Sequence, residues 1–358
     1  IPTPTGWTTM GALAVGDEVL DETGHPCRVL AVYDHAIPNN GAWRVTFSDG
    51  TPVTADGDHL WTTWTHRDRK QYLRNAVRDG DDSTRFPLDW PSWRGPADYT
   101  DQWGHARSVT PAGPMIRSTL EIRETLRHSA RGDLNHSIPL SAPLDLPDAN
   151  LPVDPWLLGF WLGDGSSRSG EIHAGDQDVD WVRERIAVTD ETVGADRRYR
   201  TAWRLNVTGL LPRLRALGVF GDKHIPAVYL RASETQRRAL LAGLLDSDGY
   251  MGRSVEFCNM NERLARGVLE LARTLGERPV LAEGRATIDG RDVGTKYRVT
   301  WRAIDNPFTL PRKHTAWVKP AAQALRLRHR MIVSIEPAEV EPMRCITVDS
   351  KHSLYLAG

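Results

Sequence analysis

The sequence predicts two structural units, a β-rich unit split between the two ends of the chain and an α+β unit between them. Short strands broken by turns occupy residues 1–66, and strand patterning returns after about residue 320. Between these segments helices alternate with strands, and the pattern runs twice. Because the two passes are similar, we expect the α+β unit to consist of αββαββα halves related by a pseudo-twofold axis.

The composition is that of an ordinary globular protein. The chain has 358 residues, of which 40% are hydrophobic and 25% charged, enough for two domains with their own cores. There is no run of about eighteen apolar residues and no signal-peptide layout at the first residues, so we expect a cytoplasmic protein without a membrane partner. The three cysteines stand far apart, which indicates neither a disulfide framework nor a cysteine-rich zinc site.

The first β segment is predicted over residues 1–66. The stretches DEVLDETGHPCRVLAVYD and AWRVTFSDGTPVTADGDHLW carry β-branched and aromatic residues, interrupted by Thr-Gly and Asp-Gly pairs. Residues 67–150 are polar, turn-rich and finally proline-rich, so we expect an irregular insertion and linker with one capped helix at STLEIRETLRHSA. The domain boundary is predicted near residue 150.

The repeated pattern fills residues 151–320. The first pass predicts a helix over about 154–163, strands near 168–174 and 197–207, and helices at DVDWVRERIAV and LLPRLRALG. The second predicts a helix over about 233–246, strands near 254–259, 279–288 and 295–303, and a helix at NERLARGVLELARTLG. Residues 321–358 return to strands, so the opening and closing segments are predicted to form one β domain.

Each half begins with a predicted apolar helix that ends in an Asp-Gly pair. The stretches are LLGFWLGDG in the first half and LAGLLDSDG in the second. One Asp-Gly pair after an apolar helix is usually a helix stop, with glycine in the left-handed position. Here Asp164 and Asp248 lie 84 positions apart in register. Both helices also carry small residues that would let their backbones approach closely across a twofold axis: Gly159, Gly163, Ala242 and Gly243.

Two carboxylates at neighbouring helix C-termini repel each other and the negative ends of the helix dipoles, which favours a bound cation. Oxygen ligands at such a corner suit Mg²⁺, which can polarise a phosphodiester and activate a water. DSDG is also similar to the start of an EF-hand calcium loop, but its glycine comes too early and Phe257 stands where the loop requires a glutamate. We therefore predict a magnesium site at Asp164 and Asp248.

Two predicted strands supply positive charge for a nucleic-acid partner. Alternation along RRYRTAWRLNV, and along KYRVTWRA in the second half, puts a basic face opposite an apolar one. One charged face is usually only solvated, but two at corresponding places predict β-ribbons that enter a DNA major groove. Residues 154–320 hold 26 Lys+Arg and 22 Asp+Glu, a net charge of +4. The basic faces comprise Arg198, Arg200, Arg204, Asn206, Lys296, Arg298, Thr300 and Arg302.

With these paired motifs and the repeated αββ pattern, residues 154–320 resemble a two-motif LAGLIDADG homing endonuclease. The resemblance implies that Asp164 and Asp248 are catalytic and bind Mg²⁺ between saddle-shaped sheets that hold double-stranded DNA, in a monomeric protein. It also implies a basic residue near the scissile phosphate. Lys296 and Lys223, the latter in GDKHIP, are the alternatives for that role.

The two β segments resemble the halves of an intein splicing domain, which has the Hint fold. PTPTGWTTMGALAVGDEVLDE is similar to the end of the first intein block and the following strand, and SDGTPVTADGDHLW to the block that bears a histidine. In the closing segment, Cys345 and His352 stand where many inteins have an aspartate and a histidine. We expect the first intein residue, and the last block with its terminal Asn, to lie outside this sequence.

Trp61, two places after His59, together with Cys345 resembles the class 3 inteins, in which an internal cysteine is the first nucleophile. The resemblance implies that Cys345 attacks, that His59 protonates the leaving nitrogen and that Trp61 packs beside Cys345. His352 would act at the C-terminal junction, and splicing would need no cofactor. Taken singly, such residues are more often buried core residues. Asp56 replaces the usual threonine, which leaves the polarisation of the scissile amide partly unassigned.

The sequence therefore predicts an intein that splices itself out of a host protein, whose flanking exteins are its partners in cis, and whose endonuclease makes Mg²⁺-dependent double-strand cuts in the intein-free gene. One alternative is a free-standing LAGLIDADG protein, an RNA maturase or DNA-binding regulator without self-processing. The split β segments argue against it. Another is a Hedgehog-type autoprocessing domain, which shares the β fold but would not carry this endonuclease.

Overall fold

The structure is a computed structural model that describes residues 1–35, 40–71, 97–100, 106–109, 114–189, 191–199, 202–318 and 329–357. Its elements form a β unit built from both ends of the chain and a helix-containing unit between them. Within the described ranges, none of the helices combines the length and apolar character needed to cross a membrane.

The opening part of the chain is composed of short strands. They are β1 (Pro2–Thr3), β2 (Gly6–Trp7), β3 (Glu18–Leu20), β4 (Pro26–His35), β5 (Ala42–Phe47), β6 (Pro52–Asp56) and β7 (Leu60–Thr63). Further elements follow in the segment predicted to be irregular. They are β8 (Ala97–Thr100), β9 (Ala106–Val109), β10 (Met115–Ser118), α1 (Thr119–Glu124) and β11 (Ser137–Pro139). The predicted capped helix is confirmed as α1, because the Ser118 and Glu121 side chains form a capping box at its start.

The middle of the chain contains the two αββ halves. The first comprises α2 (Pro155–Asp164), β12 (Ile172–Gly175), α3 (Val179–Ala187), β13 (Val193–Tyr199), β14 (Ala202–Val207) and α4 (Leu210–Ala216). The second comprises α5 (Ala227–Leu230), α6 (Glu234–Asp248), β15 (Gly249–Met251), β16 (Val255–Asn259), α7 (Glu262–Thr274), β17 (Val280–Ile288), β18 (Arg291–Trp301) and α8 (Pro311–Ala316). The strands form sheets in the orders β12-β14-β13 and β15-β16-β18-β17.

The two ends of the chain meet in the β unit. The closing strands are β19 (His329–Pro337) and β20 (Met343–Val348). Strand β19 pairs with β5 and β20 pairs with β4, both antiparallel, so the predicted joining of the opening and closing segments is confirmed. In the β4–β20 pair, Cys27 and Val29 of β4 and Ile346 and Val348 of β20 are the buried alternate residues, as expected for a sheet with one face on a core. One such core contains Leu13, Val19, Cys27, Val29, Ile346 and Val348.

The predicted end of the first β segment at residue 66 is corrected by two further pairings. Strand β10 pairs with β7, and β11 pairs with β19, so the β unit includes residues 115–139. The polar and turn-rich composition of this region concealed two strands of only a few residues each. The prediction of an irregular segment over 67–150 is therefore wrong for its second part.

The proline-rich end of residues 67–150 forms the bridge between the two units. It is held in place by a buried cation, the guanidinium of Arg237. Arg237 of α6 is fully buried and donates hydrogen bonds to the carbonyls of Ala232 (2.8 Å) and Thr274 (2.5 Å), and to that of Leu144 in the bridge. The Leu144 amide in turn donates to the Thr274 carbonyl (2.9 Å). Because main-chain carbonyls satisfy the guanidinium, its burial holds the bridge against the end of α7.

Candidate functional site

The helices α2 and α6 cross at two glycines. A Cβ atom at Gly159 would lie 2.2 Å from the Leu240 carbonyl oxygen, and one at Gly243 would lie 2.1 Å from the Trp156 carbonyl oxygen. Those distances are far shorter than a van der Waals contact, so only glycine permits this backbone approach. The predicted close packing of the two motif helices is confirmed.

This packing brings the C-terminal ends of both helices, and with them Asp164 and Asp248, to one place. A Cβ at Gly163, next to Asp164, would lie 3.2 Å from the Asp248 Cβ. Neighbouring groups partly exclude water from both carboxyls, and this desolvation raises the pKa of each. The Asp164 residue nevertheless remains exposed to solvent. The negative charge of Asp248 raises the pKa of Asp164 further. Asn259 Nδ2 donates to Asp248 Oδ2 (3.1 Å) and orients that carboxylate.

Two lysines lie beside the paired carboxylates. Lys223 Nζ donates to the carbonyls of Gly163 (3.3 Å) and Gly165 (2.7 Å), at the end of α2. Lys313 Nζ donates to carbonyls at the end of α6, those of Leu245 (2.8 Å), Asp246 (2.8 Å) and Ser247 (3.0 Å). Burial lowers the pKa of each lysine to about 8, and both positive charges act on Asp164 and Asp248.

Lys223 was one of the two alternatives drawn from the sequence, whereas Lys313 was missed. Lys313 follows Asp248 by 65 positions and comes from α8, and no spacing rule connects the two elements. The other alternative, Lys296, lies on β18 beside Gly284, where a Cβ on the glycine would be 3.6 Å from the Lys296 Cε. Lys296 is not among the charges that shift the pKa of Asp164 or of Asp248.

The first acidic residue of the DSDG motif, Asp246, lies away from the paired carboxylates. Asp246 is buried and accepts hydrogen bonds from Trp156 Nε1 (2.9 Å), the Thr309 amide (2.9 Å) and the Leu310 amide (2.8 Å). It therefore joins α6 to α2 and to the segment before α8. Of the two motif aspartates in the second half, only Asp248 points to the shared helix ends.

The donor set at the helix ends fits a hard divalent cation. The described residues contain no group of three or more His, Cys, Asp or Glu side chains that could hold a metal ion. Two carboxylates in an oxygen-rich setting are the set expected for Mg²⁺, which keeps several waters and commonly binds substrate phosphates as well. A cavity of about 170 Å³ opens on one side of Asp164, and its lining includes His173, Asp178, Asp246, Ser247 and Arg312 but not Asp248.

The first predicted basic strand is in fact a hairpin, which changes the faces. Strands β13 and β14 pair antiparallel, with Arg198 opposite Trp203 and Arg197 opposite Arg204. Cross-strand partners share a face. Arg198 therefore lies on the Trp203 side, where Arg198 Nη2 contacts Asp176 Oδ2 (2.6 Å). The prediction that Arg198 shares a face with Arg204 and Asn206 is wrong, because these residues belong to two antiparallel strands and not to one.

Arg204 and Asn206 do share the other face of β14, whose alternate residues Leu205 and Val207 are buried. Arg200 lies outside the described residues.

In the second half the faces of β18 are as predicted, since Val299 and Trp301 are buried while Arg298 is exposed.

On the exposed face of β18, Arg298 Nε lies 3.0 Å from Glu256 Oε1 of β16. Thr300 pairs with Glu256 in register. Arg302 follows the end of β18 and lines a surface depression together with Thr300 and Arg278.

The residues predicted for splicing lie in the β unit. Cys345 is on β20, opposite Tyr33 of β4, and is exposed. Tyr355 is close enough for the charge of Cys345 to raise its pKa, which burial and that charge together bring to about 12. Tyr355 was missed because no spacing in the sequence connects it to the cysteine.

His59 and Trp61 lie together, their ring centroids 4.8 Å apart in an edge-to-face arrangement. Trp61 Nε1 donates to Thr119 Oγ1 (2.9 Å), and Thr119 Oγ1 donates to the Asp56 carbonyl (2.7 Å). Burial lowers the pKa of His59, with Asp56 opposing the shift, which favours the neutral imidazole. Packing of Trp61 beside Cys345 stays a prediction.

His352, the second predicted histidine, contacts a carboxylate from the other end of the chain. Its Nδ1 lies 2.6 Å from Glu22 Oε1, in the turn between β3 and β4. Glu22 was not predicted from the sequence, because 330 positions separate it from His352.

A β unit built from both ends of the chain, interrupted by two αββ halves that bring one carboxylate each to a shared centre, defines the class. This arrangement is consistent with an intein that carries an inserted LAGLIDADG endonuclease domain, the family that the sequence resembles. The split β unit also disfavours the free-standing LAGLIDADG alternative.

Parts or all of the chain are similar in sequence to known proteins. The chain is 38% identical over 362 residues, 100% of its length, to a replicative DNA helicase DnaB of Mycobacterium intracellulare, and spans 56% of that protein. It is 46% identical over 63 residues to a DnaB of Mycobacterium leprae (strain TN), which is 18% of this chain and 10% of that protein. The chain thus spans about half, or less, of the curated relatives it matches. No family model matches it.

Solved structures resemble parts of the chain. The MchDnaB-1 intein is 49% identical, covering 19% of this chain and 49% of that one, with a TM-score of 0.17. The Msm DnaB1 intein splicing domain bound with zinc is 46% identical, covering 19% and 50%, with a TM-score of 0.17. I-DmoI in complex with DNA and Ca is 13% identical, covering 46% and 96%, with a TM-score of 0.32.

Proposed function

We propose that the chain is a bifunctional intein, which excises itself from a host protein and cuts both DNA strands of the intein-free gene in a Mg²⁺-dependent reaction. One observation carries the proposal. The two ends of the chain pair into one β unit that bears Cys345, while the inserted halves bring Asp164 and Asp248 together. The host is a helicase of the DnaB type, as the sequence similarity to DnaB proteins suggests.

In the endonuclease, Asp164 and Asp248 would hold the metal. When bound there, Mg²⁺ would polarise the phosphodiester and lower the pKa of a water. Lys223 and Lys313 each place a positive charge next to one helix end, where it can stabilise negative charge that develops on the phosphate. Because each half contributes one carboxylate and one lysine, one chain supplies a set of groups for each strand. We therefore propose that it acts as a monomer.

In splicing, Cys345 attacks the carbonyl carbon of the N-terminal junction. A bond forms between the cysteine sulfur and that carbon, the carbon–nitrogen bond breaks, and the thiol proton must reach the leaving nitrogen. A neutral imidazole suits this transfer, since it can accept the thiol proton and then deliver it. His59, whose pKa burial lowers, is therefore our candidate for proton transfer. The exteins are then joined without a cofactor.

Two assays test the proposal. A precursor in which the chain is flanked by its host sequence should yield ligated host protein and free intein, as separated on a denaturing gel. The excised chain with Mg²⁺ should linearise a plasmid that carries the uninterrupted host gene, and should leave a plasmid with the interrupted gene intact. A precursor that stays whole would contradict the splicing half, and an uncut plasmid would contradict the endonuclease half.

A further inference from the structure

Two tight turns from opposite ends of the chain meet at the edge of the β unit. In the turn between β3 and β4, Asp21 Oδ1 accepts hydrogen bonds from the Thr23 amide (2.8 Å), the Thr23 hydroxyl (2.7 Å) and the His25 amide (2.9 Å). Such bonds from an aspartate to the following amides fix the turn. They hold Glu22, inside the turn, in one backbone position.

The closing turn is fixed in the same manner. Ser350 Oγ donates to the Leu354 carbonyl (2.8 Å) and accepts from the Leu354 amide (2.9 Å), while Ser353 adopts a left-handed backbone with φ of 56°. The Leu356 amide donates to the Leu20 carbonyl (2.7 Å), which ties this turn to β3. His352 therefore has a defined position relative to Glu22.

The contact between Glu22 and His352 leaves one oxygen of the Glu22 carboxylate without a hydrogen bond among the described residues. Glu22 Oε1 lies 2.6 Å from His352 Nδ1, and the Glu22 side chain is only 13% exposed. Its other oxygen, Oε2, is buried and has no hydrogen-bond partner among the described residues. A carboxylate with a buried unpartnered oxygen is destabilising. A contact that served stability alone would not favour this arrangement.

We infer that Glu22 is a positioning residue for His352 in cleavage at the C-terminal junction, an inference that rests on the proposed splicing function. A carboxylate that accepts a hydrogen bond from Nδ1–H holds the imidazole in the tautomer whose Nε2 is the basic nitrogen. At the junction a carbon–nitrogen bond breaks. The attacking group loses a proton and the leaving nitrogen gains one, and Nε2 accepts the first proton and delivers it, so the imidazole ends unchanged.

The test separates the two ends of the splicing reaction. In a precursor with native flanks, Glu22→Gln should slow C-terminal cleavage about 10-fold or more, the scale of a lost hydrogen bond to a charged group. Release of the N-extein by hydroxylamine should stay within about twofold, which shows that the β unit is folded. The control is Glu18→Gln, an exposed glutamate at the start of β3, which should leave both rates unchanged.

Three further measurements distinguish positioning from a structural role. Glu22→Asp should recover part of the C-terminal rate, because it restores a carboxylate near Nδ1. In a His352→Ala background, Glu22→Gln should add no further loss, since it acts through the imidazole. The long-range ¹H–¹⁵N spectrum of His352 should report the Nδ1-protonated tautomer in the native chain and a mixture in Glu22→Gln.

An equal loss of both cleavages in Glu22→Gln, or an additive loss with His352→Ala, would overturn the inference and leave the proposed function standing. If instead the native precursor cleaved at neither junction, the proposed splicing function itself would fail.

Discussion

Lys223 and Lys313 have equivalent positions in the two halves of the inserted domain. Each Nζ donates to main-chain carbonyls at the end of one motif helix, Lys223 to Gly163 and Gly165 and Lys313 to Leu245, Asp246 and Ser247. A helix C-terminus carries partial negative charge, so an ammonium group there is stabilised. The pseudo-twofold axis thus relates two complete sets of one carboxylate and one lysine.

This equivalence predicts strand-specific defects. Lys223→Met should impair cleavage of one DNA strand and Lys313→Met that of the other, so that nicked plasmid accumulates in place of linear product. The expected loss is on the order of 10²-fold for the affected strand, as for other groups that stabilise developing charge. Lys296→Met is the matched control and should cut both strands at the native rate. If Lys296→Met lost cleavage activity, Lys296 would be the basic residue near the scissile phosphate.

The carboxylate pair predicts a metal effect on stability that depends on pH. The folded-state pKa values of Asp164 and Asp248 are raised, so without metal these groups favour the folded state below their unfolded pKa. That contribution is lost as pH rises through the raised values. Because Mg²⁺ binds the ionised form, the increase in Tm on adding Mg²⁺ should grow as the pH rises through the raised pKa values of the two carboxyls.

At a Mg²⁺ concentration about 100 times its Kd, the stabilisation at neutral pH should be about 2.7 kcal/mol. Differential scanning fluorimetry of Asp248→Asn should show a much smaller metal-dependent rise, while Asp180→Asn, which changes an exposed carboxylate on α3, should behave as native. A metal response that is the same in Asp248→Asn as in the native chain would place the cation elsewhere.

The helix crossing predicts a severe effect from one added methyl group. Gly159→Ala would put a Cβ within 2.2 Å of the Leu240 carbonyl oxygen, so α2 and α6 would have to separate. We expect a loss of about 1–3 kcal/mol or more in the free energy of unfolding, with cleavage reduced because the carboxylates move apart. Gly175→Ala on β12, with open space around its Cβ, should unfold like the native chain in urea.

The hairpin predicts different roles for neighbouring arginines in DNA binding. Arg204→Gln should weaken binding and lower the slope of log K against log salt concentration by about 0.9, the value for one lost phosphate contact. Arg198→Gln should change neither, because Arg198 faces Trp203 and contacts Asp176. Fluorescence anisotropy at several salt concentrations measures both. Equal slopes for the two variants would show that the face assignment does not govern binding.

The sequence predicted the features that depend on local pattern. Helix α6, which follows the capping residue Ser233, could be predicted from neighbouring residues alone. The same holds for the alternation of buried residues along β18. The two-ended β unit was predicted because the strand pattern of residues 1–66 returns in residues 321–358. The pairing of β13 with β14 was missed because polar and apolar residues alternate along the whole stretch RRYRTAWRLNV. That pattern predicts a single strand.

The candidate site residues were predicted where a motif repeats or where a stretch resembles a known family block. Asp164 and Asp248 repeat in register, whereas Lys313 and Glu22 reach their partners through tertiary packing. Strand β10 was missed for a related reason, since its pairing with β7 is decided by contacts between distant residues. Such contacts have no signature in a single sequence.

The most direct test of the account concerns Cys345, the proposed first nucleophile. A native-flanked precursor with Cys345→Ala should neither splice nor release its N-extein with hydroxylamine, whatever residue occupies the first position of the intein, because no thioester can form. Cys258→Ala, a cysteine of the inserted domain, serves as the control and should splice normally. Release of the N-extein by hydroxylamine from the Cys345→Ala precursor would contradict the account, since a nucleophile at the N-terminal junction would then perform the first step.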